Sequence, residues 1–279
     1  MFTERTIAGI RARLAVVRAD RARVALVPTM GALHEGHLAL VDAARAVSDV
    51  VVVSIFVNPL QFGPGEDFER YPRSLEGDSA KLAARGVSVL FAPSTDEMYV
   101  DGAHTTVAPP PLADRFEGAV RPGHFTGVLT VVAKLFNIVQ PEIAVFGRKD
   151  LQQLAAIRAM VNDLDFPVDV QSVDTVREPD GLALSSRNLY LDASSRRRAA
   201  LIRASLVAAR SAFKSGADSP DAIEAAGTTM LAADGALDVD YFSVVRETDF
   251  ERPAVVQSGD SIVTAVRIGG TRLIDNIRL

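Results

Sequence analysis

Short apolar runs alternate with amphipathic segments through the first two thirds of the chain. β-Branched runs of strand length occur at residues 23–28 and 50–57, and residues 37–47 between them place apolar side chains on one helical face. The same alternation continues with strand-like runs at 87–92, 143–147 and 168–173 and helical stretches at about 74–85, 126–138 and 150–164. This pattern predicts a parallel sheet, and its continuously apolar strands indicate that helices cover both faces.

The pattern changes after residue 175. Two Ala- and Arg-rich helical stretches, 192–214 and 218–234, lead into strand-like runs, and Gly269–Gly270 separates the last two of these runs. Consecutive glycines suit the left-handed backbone of a tight hairpin, so the runs predict an antiparallel sheet. We therefore expect an α/β protein with a Rossmann-like parallel-sheet domain at residues 1–175 and a smaller α+β domain at residues 176–279.

Composition and charge exclude several classes of protein. The chain has 279 residues, of which 48% are hydrophobic, and it has no cysteine. Disulfide scaffolds, thiolate metal sites and cysteine nucleophiles are thereby excluded. A net charge of −5 argues against a nucleic-acid partner. The apolar runs are shorter than the roughly 20 residues of a membrane-spanning helix, and the N-terminus lacks a secretory h-region. We expect a cytoplasmic protein with neither a nucleic-acid nor a membrane partner.

The segment VPTMGALHEGH, residues 27–37, lies where the first predicted strand ends and the first helix begins. Ligands of parallel α/β sheets bind at the carboxyl ends of strands, where a helix N-terminus offers unpaired N–H groups to an anion. Gly31 lets the chain leave the strand without a Cβ clash, and Gly36 lets a phosphate approach the backbone. His34 and His37 can lie on the same side of the first turn and donate hydrogen bonds to phosphate.

Other interpretations of this segment stay open. The histidines can cap the turn, the pair can ligate a metal, or the glycines can be ordinary turn residues. A zinc site is disfavoured because neither a cysteine nor a third nearby histidine completes it. The chain also lacks the P-loop, dinucleotide-binding and nucleophile-elbow motifs, so a different nucleotide chemistry is indicated.

Two further polar clusters suit a nucleotide. FGRKDLQQ, residues 146–153, also follows a strand, and it combines a lysine for phosphate, Asp150 for ribose hydroxyls and Gln153 for a polar substrate. LSSRN, residues 184–188, offers two hydroxyls, a guanidinium and an amide that can surround a triphosphate. Alternatively, the Lys-Asp pair compensates the helix dipole in solvent, and LSSRN is a structural loop.

Two loops offer groups for a second substrate. Asn58 and Gln61 follow the second strand, and their neutral amides suit a ligand that carries hydroxyls and a carboxylate. Arg121 and His124 in RPGHFTG can complete an anionic pocket. The alternative for each loop is an ordinary surface turn.

Taken together, these segments closely resemble the pantothenate synthetase family of ATP-dependent ligases, which join pantoate to β-alanine. The resemblance runs from about residue 20 to residue 192 and continues more loosely to the C-terminus. The segments that carry it, in this order, are PTMGALHEGH, SIFVNPLQF, YPR, RPGHFTGVLTVVAKLFNIVQP, FGRKDLQQL and DGLALSSRNLYL. Their common order sets them apart from a series of accidental matches.

The resemblance implies a nucleotidylyltransferase-like fold with an H-x-G-H motif. It implies that residues 1–175 bind ATP and pantoate and that residues 176–279 close over the ATP. The implied reaction has two steps: the pantoate carboxylate attacks the α-phosphate of ATP, and β-alanine then displaces AMP from the pantoyl adenylate. Mg²⁺ with ATP as substrate, no tightly bound organic cofactor, and a homodimer through the N-terminal domain are also implied.

The resemblance assigns roles position by position. The catalytic set is His34, His37, Lys149, Ser185, Ser186 and Arg187, with His37 as the acid. The residues implied to bind ATP are this set together with Met30, Gly31, Gly36, Gly147, Asp150, Val176 and Leu184. The residues implied to bind pantoate or β-alanine are Pro28, Met30, Asn58, Gln61, Arg121, His124 and Gln153. Asp78 is a guess for a magnesium ligand.

The chain departs from the family pattern at two places. Gly147-Arg148-Lys149-Asp150-Leu151 stands where the family usually has Gly-Glu-Lys-Asp-Tyr, which puts a second cation beside the lysine. Leu184 replaces a methionine of similar volume, which is a mild change. Three alternatives remain: a nucleotidylyltransferase acting on another small acid or phosphate, a nucleotide-binding module that has lost its chemistry, and a histidine-based metal hydrolase.

Overall fold

The chain forms two compact units. The computed structural model describes all 279 residues, Met1–Leu279. The first unit comprises Met1–Arg148 and Ala156–Asp174, and the second comprises Lys149–Ala155 and Thr175–Leu279. The sequence pattern assigned residues 149–155 to the first domain, whereas the structure groups them with the second unit. None of the helices combines the length and apolar character needed to cross a bilayer.

The first unit is built on a six-stranded sheet in which every paired strand is parallel. Its strands are β1 (Phe2–Glu4), β2 (Val24–Thr29), β3 (Val50–Ile55), β4 (Val89–Phe91), β5 (Ile143–Gly147) and β6 (Asp169–Val173), in the spatial order β1-β4-β3-β2-β5-β6. The helices are α1 (Ile7–Ala19), α2 (Glu35–Val47), α3 (Leu75–Ala84), α4 (Thr95–Met98), α5 (Glu117–Val120), α6 (His124–Val139) and α7 (Leu151–Asp163), the last of which begins in the second unit. The parallel sheet predicted from the alternating apolar runs is confirmed.

The core of the first unit explains why β2 is continuously apolar. Residues of a strand alternate between its two faces, and Ala25 and Val27 of β2 pack in one cluster with Val41 and Ala44 of α2. The intervening Val24 and Leu26 are equally buried, and α6 also packs against β2. Because helices lie against both faces, no position of the strand centre can be polar.

The sheet order creates a switch point between β2 and β5. From β2 the chain proceeds outward through β3 and β4 on one side, whereas β5 and β6 continue on the other side. β2 and β5 pair in parallel through Ala25 with Ile143 and Leu26 with Ala144, so their carboxyl ends are adjacent. Ligands of open α/β sheets bind outside such a reversal. The segments that follow Thr29 and Gly147 therefore begin at the position where a ligand is expected.

The second unit contains two helices and a three-stranded antiparallel sheet. Its elements are α8 (Ala193–Lys214), α9 (Pro220–Ala232), β7 (Asp238–Val245), β8 (Ser261–Ile268) and β9 (Thr271–Arg278), with the strands in that order. Gly269 and Gly270 have φ angles of +54° and +79°, as a tight hairpin between β8 and β9 requires. The predicted α+β character and the antiparallel sheet are confirmed.

The sequence pattern missed the first two elements. β1 is three residues long and largely exposed, and it pairs in parallel with β4 at the edge of the sheet. α1 begins after Thr6, whose hydroxyl accepts a hydrogen bond from Gly9 N, and it buries only Ile10 and Leu14. A threonine followed by apolar residues at helical spacing is the N-cap signal that identifies such a helix.

Candidate active site

The loop between β2 and α2 leaves the strand through two residues with positive φ. Gly31 has φ of +86° and Ala32 has φ of +52°. A Cβ at Gly31 would lie 3.1 Å from a carboxylate oxygen of Asp78 and equally close to Ile55 Cγ2, so both the backbone angle and the space favour glycine. Thr29 Oγ1 accepts from Gly31 N at 3.2 Å. The prediction that Gly31 turns the chain out of the strand is confirmed.

Two side chains of α3 hold this loop from the opposite side. The buried carboxylate of Asp78 accepts from Ala32 N and Leu33 N, both at 2.8 Å. Lys81, one turn along α3, donates from Nζ to Leu33 O at 2.6 Å. The backbone immediately before the first histidine is thus fixed through its N–H groups and a carbonyl.

His34 and His37 lie together at the start of α2, as predicted. Their ring centroids are 4.1 Å apart, with 34° between the ring planes. His34 is the N-cap, and its Nδ1 accepts from Gly36 N at 3.2 Å, while His37 Nδ1 accepts from His34 N at 3.4 Å. An imidazole that accepts at Nδ1 carries its proton at Nε2 when neutral. Each ring therefore caps the helix and has a donor at Nε2.

A second cluster forms around Gln61, which follows β3 in a 3₁₀ turn (Pro59–Gln61). Asn58 Nδ2 donates to Gln61 Oε1 at 3.0 Å and to Gly127 O at 3.1 Å. Asn58 Oδ1 accepts from Tyr99 Oη at 2.8 Å, and burial raises the pKa of Tyr99, which keeps that phenol a donor. Gln61 Nε2 lies 3.1 Å from Met30 Sδ. Asn58 thus orients the Gln61 carboxamide, and its own amide group is fully used within the protein.

Arg121 and His124 hold the Gln61 backbone. His124 Nδ1 lies 2.9 Å and Arg121 Nη2 3.3 Å from Gln61 O, and Arg121 Nη1 lies 3.0 Å from His124 Nε2. Burial and the charge of Arg121 lower the pKa of His124 to about 4, so this ring is neutral at pH 7. The neutral ring donates from Nδ1 and accepts at Nε2.

Glu66 neutralises the cation of this cluster. Arg121 donates to both carboxylate oxygens of Glu66, at 2.8 and 2.6 Å. Burial alone would raise the pKa of Glu66, but its hydrogen bonds and ion pair with Arg121 lower the pKa below its ordinary value. Arg121 is thus paired with Glu66, and the His124 ring is neutral. That these two residues complete a pocket for an anionic substrate stays a prediction.

The neighbouring strand β5 ends at Gly147, beside β2. Arg148 follows it and lies 3.6 Å from Asp174, with 14% of its side chain exposed and 97% of that of Asp174. The extra cation of this chain is thus largely buried and is paired with a solvated carboxylate.

Pro28, another residue predicted to lie at the site, is part of β2 and pairs in register with Ser54 of β3.

The remaining predicted residues belong to the second unit. Lys149 and Asp150 form a 3₁₀ turn that continues into α7, and Gln153 lies half-buried on the first turn of that helix. Asn276 Nδ2 donates to Lys149 O at 2.9 Å. The backbone of Lys149 is therefore anchored to β9.

The LSSRN segment closes a short loop within the same unit. Leu184 N donates to Val176 O at 3.0 Å, and Ser185 Oγ accepts from Arg187 N at 3.2 Å at the start of a 3₁₀ turn (Ser186–Tyr190). Arg177 fixes the base of the loop by donating to both oxygens of the buried Asp275, at 2.7 and 2.9 Å. The structure thus brings Val176, Leu184 and the two serines into one anchored loop.

Asp78, the residue guessed from sequence as a magnesium ligand, is held by the backbone of the β2–α2 loop. Both of its oxygens already accept backbone N–H groups. No group of three or more His, Asp or Glu side chains in the chain is arranged to hold a metal ion.

The sequence and the fold both match known proteins over almost the whole chain. The family model described as pantoate-beta-alanine ligase matches residues 3–278. The chain belongs to the pantoate-β-alanine ligase family. Pantothenate synthetase from Acidothermus cellulolyticus is 51% identical over 98% of this chain and 90% of its own length. The corresponding enzyme from Rhizobium rhizogenes is 51% identical over 99% of this chain and 95% of its own length.

Solved structures agree with this assignment to the ligase family. A crystal structure of pantothenate synthetase from Thermus thermophilus has a TM-score of 0.95 and 49% identity, covering 100% of this chain and 99% of that one. Pantoate-β-alanine ligase from Francisella tularensis, crystallised with β,γ-ATP and β-alanine, has a TM-score of 0.80 and 33% identity, covering 100% and 97%. The fold expected from the resemblance is therefore confirmed.

Four residues that contact predicted site residues or the loops that carry them were missed from the sequence. They are Glu66, Lys81, Tyr99 and Asp275, and each acts on a residue far away along the chain. No local spacing signals such contacts, because they arise only when loops and helices pack.

Proposed function

We propose that the protein condenses pantoate with β-alanine to form pantothenate, at the expense of ATP. The observation that carries this proposal is the close pair of His34 and His37 at the start of α2, at the switch point of a parallel sheet. Family membership supports the choice of substrates, because the relatives are ligases of this kind and one was crystallised with a nucleotide and β-alanine.

The first unit supplies the histidine donors and the pantoate groups in this proposal. The Nε2 atoms of His34 and His37 hydrogen bond to phosphate oxygens, and His37 is the acid that meets charge developing on the phosphates. Gly36 lets a phosphate approach the backbone, and Gly31 and Gly147 also contact ATP. Gln61 binds pantoate through its carboxamide. Pro28, Met30 and Asn58 line the pantoate pocket around Gln61. Arg121 and His124, which hold the Gln61 backbone, complete the binding site for pantoate or β-alanine.

The second unit supplies cations and hydroxyls. Lys149 neutralises phosphate charge, Asp150 accepts from the ribose hydroxyls, and Gln153 binds pantoate. Ser185, Ser186 and Arg187 bind the triphosphate. Val176 contacts the adenine region through its backbone, and Leu184 also contacts ATP. The anchored loop supports this role because the hydroxyl of Ser185 is held by the N–H of Arg187 before ATP arrives.

The reaction proceeds in two transfers. A carboxylate oxygen of pantoate attacks the α-phosphorus of ATP, which forms pantoyl adenylate and releases pyrophosphate. The amine of β-alanine then attacks the acyl carbon, and the acyl–phosphate bond breaks to release AMP. Mg²⁺ would enter with ATP as part of the substrate, where it would neutralise phosphate charge.

The pyrophosphate exchange reaction tests this function. Labelled pyrophosphate should enter ATP in the presence of pantoate and the absence of β-alanine, because the first transfer is reversible. Exchange that needs no pantoate, or the absence of exchange in a preparation that forms pantothenate, would contradict the adenylate route. Replacing pantoate with a different hydroxy acid is the control for substrate identity.

We propose a homodimer that assembles through the N-terminal domain, a cytoplasmic location, and small-molecule substrates as the only partners of the site. The assignment of ATP and pantoate to residues 1–175 and of a closing domain to residues 176–279 belongs to the same proposal.

A further inference from the structure

Asp78 and Lys81 form a brace, named here the α3 brace, on the loop that precedes the histidines. Asp78 is 2% exposed and accepts from two consecutive amides, Ala32 N and Leu33 N, with one oxygen each at 2.8 Å. Lys81 Nζ donates to Leu33 O at 2.6 Å and lies 3.9 Å from Asp78 Oδ1. A lysine and an aspartate thus hold opposite polar groups of the same short backbone segment.

The loop needs this brace because its conformation is intrinsically unfavourable. Gly31 and Ala32 both have positive φ, at +86° and +52°, and the second of them carries a Cβ. Non-glycine residues avoid that region unless the surrounding structure imposes it. The carboxylate of Asp78 imposes it by drawing the amides of Ala32 and Leu33 toward a single acceptor group.

The brace acts directly on the histidine pair. Leu33 precedes His34, whose backbone N–H donates to His37 Nδ1 and whose own ring caps Gly36 N. A rotation of the Leu33–His34 peptide would break the first of these bonds and turn both rings. We propose that Asp78, assisted by Lys81, is a positioning residue that sets the orientation of His34 and His37. This inference rests on the function proposed above.

The substitution Asp78→Asn tests the brace with little change in volume. The amide group keeps one acceptor and places an NH₂ against a backbone N–H, so one of the two bonds is lost. We expect kcat to fall by roughly 10- to 100-fold, the usual cost of a misplaced catalytic group, with a smaller change in the KM for pantoate. Asp49→Asn is the matched control, because Asp49 accepts from Arg23 N at 2.8 Å at the amino end of the sheet.

Magnesium dependence separates positioning from metal binding. If Asp78 only positions the loop, Asp78→Asn leaves the Mg²⁺ concentration for half-maximal activity within about two-fold of the wild-type value, and excess Mg²⁺ does not restore kcat. A rise of ten-fold or more in that concentration, with kcat restored by excess Mg²⁺, would identify Asp78 as a ligand and overturn the proposal.

Histidine NMR signals give a readout that needs no activity. The chain has four histidines, so each imidazole can be assigned with single His→Gln variants. Asp78→Asn should shift the signals of His34 and His37 and leave those of His104 and His124 in place. Unchanged signals of His34 and His37 in folded protein would refute the brace. If wild-type protein shows no pantoate-dependent exchange but these shifts occur, the function has failed and the brace stands.

Lys81→Met serves if Asp78→Asn does not fold. It removes the bond to Leu33 O but keeps both bonds of Asp78. The same two histidine signals should move by a smaller amount, and kcat should fall by a few-fold. If the histidine signals of Lys81→Met are identical to those of the wild type, Lys81 is not part of the brace. If Asp78→Asn also fails to fold, the same result overturns the whole proposal.

Discussion

Each histidine of the H-x-G-H motif has a structural and a proposed chemical task. The Nδ1 atoms of His34 and His37 accept backbone N–H groups, which is the capping alternative considered from sequence. This capping does not compete with phosphate binding, because it fixes the neutral tautomer that has a donor at Nε2. Capping therefore orients the donors on which the proposed chemistry depends.

Alanine substitutions measure the proposed chemical task. We expect His37→Ala and Lys149→Ala each to lower kcat by roughly 10²- to 10³-fold, the usual cost of removing a group that stabilises developing charge. His104→Ala is the matched control because His104 is exposed, and it should retain wild-type kcat. Steady-state kinetics with thermal melts of each variant checks the prediction. A folded His37→Ala or Lys149→Ala variant with near-normal kcat would show that the assigned role is wrong.

The position of a site residue was predictable where its partner is close in sequence. The spacing of His34 and His37 predicts that they lie together, and the rings are 4.1 Å apart. The distant residues that neutralise a charged side chain were not predictable. Glu66 pairs with Arg121 across 55 positions of sequence and neutralises its charge. Arg121, His124 and Glu66 together form a neutral cluster, named here the clamp, that holds the Gln61 backbone. Packing creates such pairs, and no local spacing indicates them.

At the scale of elements, the clamp on the Gln61 turn joins three parts of the chain. Asn58 and Gln61 follow β3, and Glu66 lies in the same connection between β3 and α3. Arg121 ends α5, and His124 begins α6. His124 is the component whose protonation breaks the clamp, since its Nε2 would then be a donor facing Arg121.

The lowered pKa of His124 predicts a loss of stability in mild acid. The ordinary value of 6.5 falls to about 4 in the folded state, so between these pH values the unfolded chain binds a proton that the folded chain does not. The free energy of unfolding therefore decreases as pH falls from 6.5 toward 4, by up to about 3 kcal/mol from this group. Above pH 6.5 the contribution is constant, because the ring is neutral in both states.

Urea unfolding between pH 7 and 4.5 checks this dependence. His124→Gln should show a shallower decrease in the free energy of unfolding than the wild type, whereas the control His104→Gln should follow the wild type. The lowered pKa of Glu66 acts mainly below its ordinary value of 4.5, so this window isolates the histidine. Parallel curves for His124→Gln and wild type would contradict the assignment.

Strands and turns were predictable from sequence where burial or backbone geometry restricts the choice of residue. β2 and β3 read as continuous apolar runs because helices cover both faces, and Gly269–Gly270 marked the hairpin between β8 and β9. β1 was missed because a short exposed edge strand has no such constraint. Hydrophobic periodicity also did not indicate that residues 149–155 belong to the second compact unit. Membership of a unit depends on contacts such as the hydrogen bond from Asn276 to Lys149 O.

For the whole molecule, the order of strands matters more than any single motif. The position of β2 beside β5 makes two chain segments, one after Thr29 and one after Gly147, begin at the same edge of the sheet. Hydrophobic periodicity does not indicate this adjacency, because it predicts strands without their order. The functional assignment from sequence therefore relied on motif order, and the confirmed fold gives that order a physical basis.

The proposed homodimer gives a prediction for the intact protein. Sedimentation equilibrium should yield twice the 29.8 kDa mass of one chain at micromolar concentration. Because assembly is assigned to the N-terminal domain, hydrogen exchange measured at high and low protein concentration should show concentration-dependent protection within residues 1–175 and none within residues 176–279. A mass of one chain at all concentrations would contradict the dimer. Protection confined to residues 176–279 would instead contradict the assigned interface, because burial at a subunit contact protects the amides that it covers.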